Sequence, residues 1–290
     1  MINGSGSVVT RSGEMMKNKC SKTLAMIIGL TLAGTLPSQL RAESDFGAWH
    51  YGFQLYMVPT WIQGDAQLGY RVGQKEDSAS MKLDVTPKDI FDNLEMGLMA
   101  HFEGRHDNHW GFWVDYAFMD LGKDAEIFRK PLKISSSAGV YQGVMEAIAT
   151  RRTPLERGYI DYFAGIRWWH TSIDFVLDAA LTGNGAESRD RSRTIDWYDP
   201  VVGAVWVIPL NEDWRLRLRG DIGGFDIGKA SKFTSAVEIG ALYDINDSWQ
   251  LNLRFKSLWV DYEEGSKGKR NRYVYDTVTF GPVVGITYRF

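Results

Sequence analysis

Trp249-Gln250-Leu251-Asn252-Leu253-Arg254-Phe255-Lys256-Ser257-Leu258-Trp259 alternates apolar and polar side chains without a break from Trp249 to Lys256. Side chains of an extended chain point to opposite faces in turn. Trp249, Leu251, Leu253, Phe255 and Trp259 therefore share one face, and Gln250, Asn252, Arg254 and Lys256 the other. The same arrangement recurs from Trp214, where Trp214, Leu216, Leu218 and Ile222 oppose Arg215, Arg217, Arg219 and Asp221. A third copy sets Trp110, Phe112, Val114, Tyr116 and Phe118 against Trp113 and Asp115. An antiparallel sheet with one wet face reads this way too. These segments, however, outrun the usual ~5–6 residues of a soluble strand and reach the ~9–11 that a tilted membrane strand needs.

The connections point the same way. Asp107-Asn108-His109, Thr153-Pro154-Leu155-Glu156, Asn211-Glu212-Asp213 and Asn246-Asp247-Ser248 are short polar turns. Stretches 122–136, 181–194 and 264–272 are rich in charge, Gly and Ser and read as loops. Short turns at one end and long loops at the other are the signature of a transmembrane β-barrel. Trp110, Trp214 and Trp249 each follow a turn at once, which sets all three at one depth in an interfacial girdle. The expected strands are 49–60, 93–105, 109–121, 137–152, 157–178, 195–209, 213–227, 233–246, 249–263 and 273–290.

The expected fold is thus all-β, an antiparallel transmembrane β-barrel of about ten strands with a long first loop at 61–92. Twelve strands is the alternative, should Gly64 to Tyr70 and Ala79 to Val85 form a further hairpin. Thr86-Pro87-Lys88-Asp89-Ile90-Phe91 reads as a helical turn, with Thr86 as N-cap and Pro87 at the first helical position.

The two ends of the chain bear on its address. Lys17, Lys19 and Lys22 precede an uncharged run from Leu24 to Leu36, the layout of a signal peptide. That run is short of the ~20 residues a helix needs to cross a bilayer. The expected division is a leader over 1–42, cleaved after Ala42, and a barrel over 43–290. Cys20 is the one cysteine and lies in the leader, so neither disulfides nor thiolate metal sites are expected in the barrel. Removing Arg11, Lys17, Lys19, Lys22 and Arg41 together with Glu14 takes the net charge from −3 to −7, which argues against nucleic acid as a partner. At 13% aromatic residues with 11 Trp, the composition is heavy for a soluble core of this size.

At the other end, Gly285, Tyr288 and Phe290 sit in the alternating run Gly281-Pro282-Val283-Val284-Gly285-Ile286-Thr287-Tyr288-Arg289-Phe290. This resembles the C-terminal signal read by the barrel assembly machinery, with Val283 standing where that signal prefers a polar residue. Most of 49–290 also resembles a family of proteobacterial outer-membrane barrels of unassigned role. The matching stretches are Asp89-Ile90-Phe91-Asp92-Asn93-Leu94, His101-Phe102-Glu103, Trp110-Gly111-Phe112-Trp113, Gly220-Asp221-Ile222-Gly223 and Gly281-Pro282. The resemblance implies the cell outer membrane of a Gram-negative bacterium, with outer-membrane lipid and lipopolysaccharide as surroundings. It brings no catalytic residues with it.

If the alternation holds, the lumen receives Glu95, His101, Glu103, Asp115, Asp161, Arg167, Arg215, Arg217, Arg219, Asp221, Glu238, Arg254, Lys256 and Arg289. Three functions follow. The charges form an ion-paired filling and the barrel has a structural or surface-interaction role, or Arg215, Arg217 and Arg219 line a narrow anion-preferring channel. As a third reading, His170-Thr171-Ser172 resembles the His-x-Ser pair of outer-membrane lipid A deacylases. His170 and Ser172 share a strand face, as a base and nucleophile require, roughly 30 Å above the turn at 154–156. The histidines are otherwise scattered, so no metal and no cofactor is expected.

Overall fold

A computed structural model describes residues 48–72, 74–122, 138–178 and 188–290. The leader expected over 1–42, with Cys20, lies outside the described residues. Ten strands form a closed antiparallel ring: β1 (Trp49–Met57), β4 (Leu94–His106), β5 (Trp110–Leu121), β6 (Ala138–Pro154), β7 (Tyr159–Asp178), β8 (Ser188–Pro209), β9 (Trp214–Gly223), β10 (Phe233–Asp244), β11 (Trp249–Glu264) and β12 (Tyr273–Arg289). Closure comes from β1 against the lower half of β12, running from Gly52 opposite Arg289 to Met57 opposite Val284. Even the final residue is tied in, since Phe290 and Tyr51 exchange backbone hydrogen bonds of 3.0 and 2.9 Å.

The long first loop has structure of its own. Its hairpin, β2 (Trp61–Val72) and β3 (Lys75–Val85), forms where the alternative reading put one, yet adds nothing to the ring. Instead β2 continues upward along β12, from Trp61 opposite Phe280 to Leu68 opposite Tyr273, above the point where β1 stops. At this joint an added Cβ on Gly281 would meet the Pro59 carbonyl at 2.1 Å, which leaves room for glycine alone. Helix α1 (Pro87–Asn93) then leads into β4, capped by Thr86 as the sequence suggests, with Asp89 completing a capping box.

Strand β1 ends at Met57, short of the expected 60, and two further boundaries differ for local reasons. Residues 188–194, read as loop, extend β8, because Arg193 anchors the strand by donating to the carbonyls of Asn271 at 2.9 Å and Arg272 at 2.8 Å. Strand β9 stops at Gly223, where Gly224, Phe225 and Asp226 turn the chain through positive φ. The loop stretches 123–137 and 179–187 lie outside the described residues.

The turns use one device repeatedly. The Asn211 side chain accepts from the backbone N–H of Trp214 at 2.8 Å, Asn246 from Trp249 at 2.9 Å, and Asn108 from Trp110 at 3.1 Å. Each asparagine thus fixes the entry of a tryptophan-led strand at the same rim. The Asp107 carboxyl accepts from Ala48 N–H at 2.7 Å and from His50, and the first of these holds it below the usual carboxylate range.

Burial is inverted relative to a soluble protein. Leu253, Phe255, Trp259, Ile239, Val237, Ile166, Tyr162, Ile286 and Tyr288 are exposed on the outer face, whereas Arg167, Asp199, Asp221 and Glu146 are buried within. A contiguous apolar band of this kind marks contact with lipid or another apolar partner.

Candidate functional site

Because paired residues on adjacent strands share a face, the register decides which charges meet in the lumen. Glu146 of β6 lies opposite Arg167 of β7, and Glu238 of β10 lies between Arg219 of β9 and Lys256 of β11. At the centre Arg167 donates to Glu146 Oε1, Asp221 Oδ1 and Thr234 Oγ1, each at 2.9 Å. Arg219 closes the quartet, reaching Glu146 Oε2 at 2.9 Å and Asp221 Oδ2 at 2.8 Å. Its guanidinium also lies over the rings of Trp113 and Phe163, 5.5 and 5.3 Å from their centroids. Two cations and two anions, all buried, answer each other, so the layer carries no net charge.

Flanking clusters repeat the pattern. Glu238 accepts from Arg254 at 2.9 Å and meets Arg217. Asp115 accepts from the Tyr56 hydroxyl at 2.7 Å and pairs with His101 Nδ1 at 3.1 Å, whose other nitrogen lies 3.7 Å from Glu103. Toward the tryptophan rim, Asp161 is gripped by two forks, Arg105 at 3.0 Å and Arg152 at 2.8 Å. Asp244 there meets Arg215 and Arg289 and accepts from Gln250 at 2.8 Å. On the opposite side of the central quartet Asp199 takes Trp169 Nε1 and Ser231, and an aromatic stack of Trp169, Trp197 and Tyr262 packs above it.

Two of the expected lumen charges stand outside these clusters, Lys256, which makes no ion pair among the described residues, and Glu95. Register slips between Leu94 and Met96, and the extra residue leaves Glu95 exposed over Gly122, apart from every cluster. Conversely Glu146, Arg105, Arg152, Asp199 and Asp244 belong to the clusters and were missed. Glu146 sits in Val144-Met145-Glu146-Ala147, where apolar neighbours on both faces blur the alternation. Only its position opposite Asp115 and Arg167 shows which way it points.

His170 and Ser172 lie on the outer face and do not meet. His170 Nδ1 is 2.7 Å from Asp196, which also accepts from Trp168 Nε1 at 3.1 Å, and the His170 ring packs edge-on against Tyr141. Ser172 Oγ instead lies 3.3 Å from Thr194 Oγ1. His170 and Ser172 are thus not hydrogen-bonded to each other, the contact by which a base activates a nucleophile. Ser172→Ala is accordingly expected to leave the lipid A acylation pattern of a producing strain unchanged by mass spectrometry. Loss of a deacylated species in the variant would restore the enzyme reading.

Among solved structures, the outer-membrane protease OmpT from Escherichia coli aligns over 87% of this chain and 99% of its own at a TM-score of 0.51 and 9% identity. The translocator domain of autotransporter NalP from Neisseria meningitidis aligns over 86% and 90% at 0.44 and 13%. Ail, the attachment invasion locus protein of Yersinia pestis, aligns over 84% and 99% at 0.32 and 11%. No protein-family model and no curated protein matches the chain. The likeness to OmpT is one of fold, an outer-membrane type of β-barrel.

Proposed function

We propose that this protein is an integral outer-membrane β-barrel of a Gram-negative bacterium, exported by a cleaved leader at 1–42. Its lumen is closed by its own ion-paired side chains, and its role is structural or one of surface interaction. The observation that carries this reading is the inversion itself: the outer face is apolar and exposed, while the buried inner face is charged and paired. The outer belt meets outer-membrane lipid and lipopolysaccharide, and Gly285, Tyr288 and Phe290 serve as the signal to the barrel assembly machinery.

The anion-channel reading has less support. Arg215, Arg217 and Arg219 each have a carboxylate partner, in Asp244, Glu238 and the Glu146–Asp221 pair. A paired guanidinium offers an entering anion little field.

Planar bilayers test the point. Purified protein that migrates heat-modifiably on gels and has β-type circular dichroism in detergent should give flat current traces even at high load. Unitary steps whose ion selectivity shifts in Arg217→Glu would replace the filled lumen with the channel. A protein found soluble without detergent would end the membrane reading altogether.

A further inference from the structure

The wall of the barrel is complete only in its lower half. β4 pairs with β1 up to Ala100 opposite Leu55, and β3 pairs with β2 alone. Among the described residues no ladder therefore joins the upper half of β4, Leu94 to Met99, to a strand on that side. Counting from His106 at roughly 2.5 Å per tilted residue, this edge lies roughly 18–30 Å above the tryptophan rim, at the outer part of a ~25 Å apolar band. An open sheet edge at such depth is tolerated only where it is buried in protein or lines a cavity that admits water, and here the edge meets a cavity at Met99.

A cavity is there. It measures about 110 Å³ and is bounded by the β1–β2 joint at Val58 and Thr60, by Met99, and by Lys256 and Leu258 inside. Phe118 and Phe280 also border it, and both belong to the outer face: Phe118 stacks on Tyr141, and Phe280 stacks on Trp61 near exposed Phe255. The space thus runs from lipid to lumen. A second cavity of about 70 Å³ lies next to it beneath the β2–β3 hairpin, with Ile62, Met119 and Gln142 lining both. Apolar side chains dominate both.

Lys256 stands out at the inner end. Every other inward arginine of β9, β11 and β12 meets a carboxylate, but among the described residues Lys256 makes neither a hydrogen bond nor an ion pair. The carboxylates around it are already engaged: Glu238, opposite it on β10, by Arg217 and Arg254, and Glu146 and Asp115, which line the same cavity, by Arg167 and Arg219 and by Tyr56 and His101. An ammonium with spare donors at the end of an apolar slot that opens to lipid suits one chemistry, an alkyl chain with an anionic head.

We propose that the barrel binds a single-chain amphiphile with a carboxylate head, admitted from the lipid-facing side between the β1–β2 joint and upper β4, with Lys256 taking the head. This rests on the membrane reading above. The hairpin and α1, whose Ile90 is buried with Ile62, Val85 and Leu121, roof the tail.

The test uses the purified full chain in phosphatidylcholine nanodiscs, titrated calorimetrically with decanoate and with decanol. Wild type and Lys256→Arg should bind decanoate saturably. Lys256→Met should bind it at least about tenfold more weakly, the loss expected of one charge-assisted hydrogen bond, with decanol binding unchanged. Leu258→Trp, which fills the slot, should weaken both ligands. Equal decanoate binding by Lys256→Met and wild type, or no saturable binding by an inserted wild type, overturns the proposal. If Lys256→Met fails to fold, unchanged decanoate binding in Leu258→Trp overturns it instead. Heat-modifiable migration of the nanodisc protein is scored separately, so that failure to insert refutes the membrane reading and failure to bind refutes only the site.

Discussion

Arg167→Ala should lower the folding free energy by about 3–5 kcal/mol, the cost of leaving buried carboxylates without their cation. Arg167 is wholly inaccessible to solvent and is shared by Glu146, Asp221 and Thr234, so its removal leaves two buried anions to share one cation. Arg219 still reaches both acids, which keeps the loss from being larger. Replacing Glu146 by Gln in the same protein should restore part of the loss, since one unpaired charge then disappears. The measurement is urea unfolding from detergent micelles, followed by tryptophan fluorescence and by heat-modifiable migration. Lys88→Ala is the contrast: its partner Asp92 lies one turn away on the exposed face of α1, where solvent screens the pair, and no change is expected. Equal effects of the two substitutions would mean that the lumen is wet and its ion pairs are weak.

Ile239→Arg should cost about 2–4 kcal/mol in lipid vesicles, because its side chain stands on the outer face and a charge placed near the bilayer midplane has no partner there. Ile239 is exposed and is flanked by Leu218 and Phe255, the neighbours opposite it on β9 and β11. It lies four residues before Tyr243, which pairs with Trp214, and so stands roughly 10 Å above the tryptophan rim, near the middle of a ~25 Å apolar band. On a water-facing surface the same change would stay within about 0.5 kcal/mol. Asp247→Arg, in the turn at that rim, serves as the control and should stay within that smaller range. An Ile239→Arg protein as stable as its parent in vesicles would remove lipid from the outer face, and the amphiphile site with it.

Much of the barrel was legible because a strand needs only two residues to repeat. The runs from Trp110, Trp214 and Trp249 alternate cleanly, so their outward and inward faces could be assigned before any partner was known. Asparagine-led turns marked the strand starts for an equally local reason, a side chain accepting from its own backbone two or three residues on. The ring count of ten followed from these elements. Where alternation was weak or broken, assignment failed. Glu146 was hidden among apolar neighbours, and Glu95 was left exposed and apart from the clusters by one inserted residue at the β4 bulge. His170 and Ser172 share a face as their spacing requires, but each is held by a different residue of β8.

What the sequence alone determined is the membrane-barrel pattern: strands with one apolar and one charged face, short turns at one rim, and the cap of α1. These depend on contacts within a few residues. What only the tertiary structure decided is how that charge is used. Which arginine meets which acid depends on register accumulated around ten strands, so Arg219 finds Glu146 across the lumen from a position 73 residues away. The placing of β2 along β12, the unpaired upper edge of β4 and the unpartnered Lys256 beside it likewise depend on where β1 stops and the hairpin lands. A local pattern can say that Lys256 faces inward; only closure of the ring leaves it without a carboxylate.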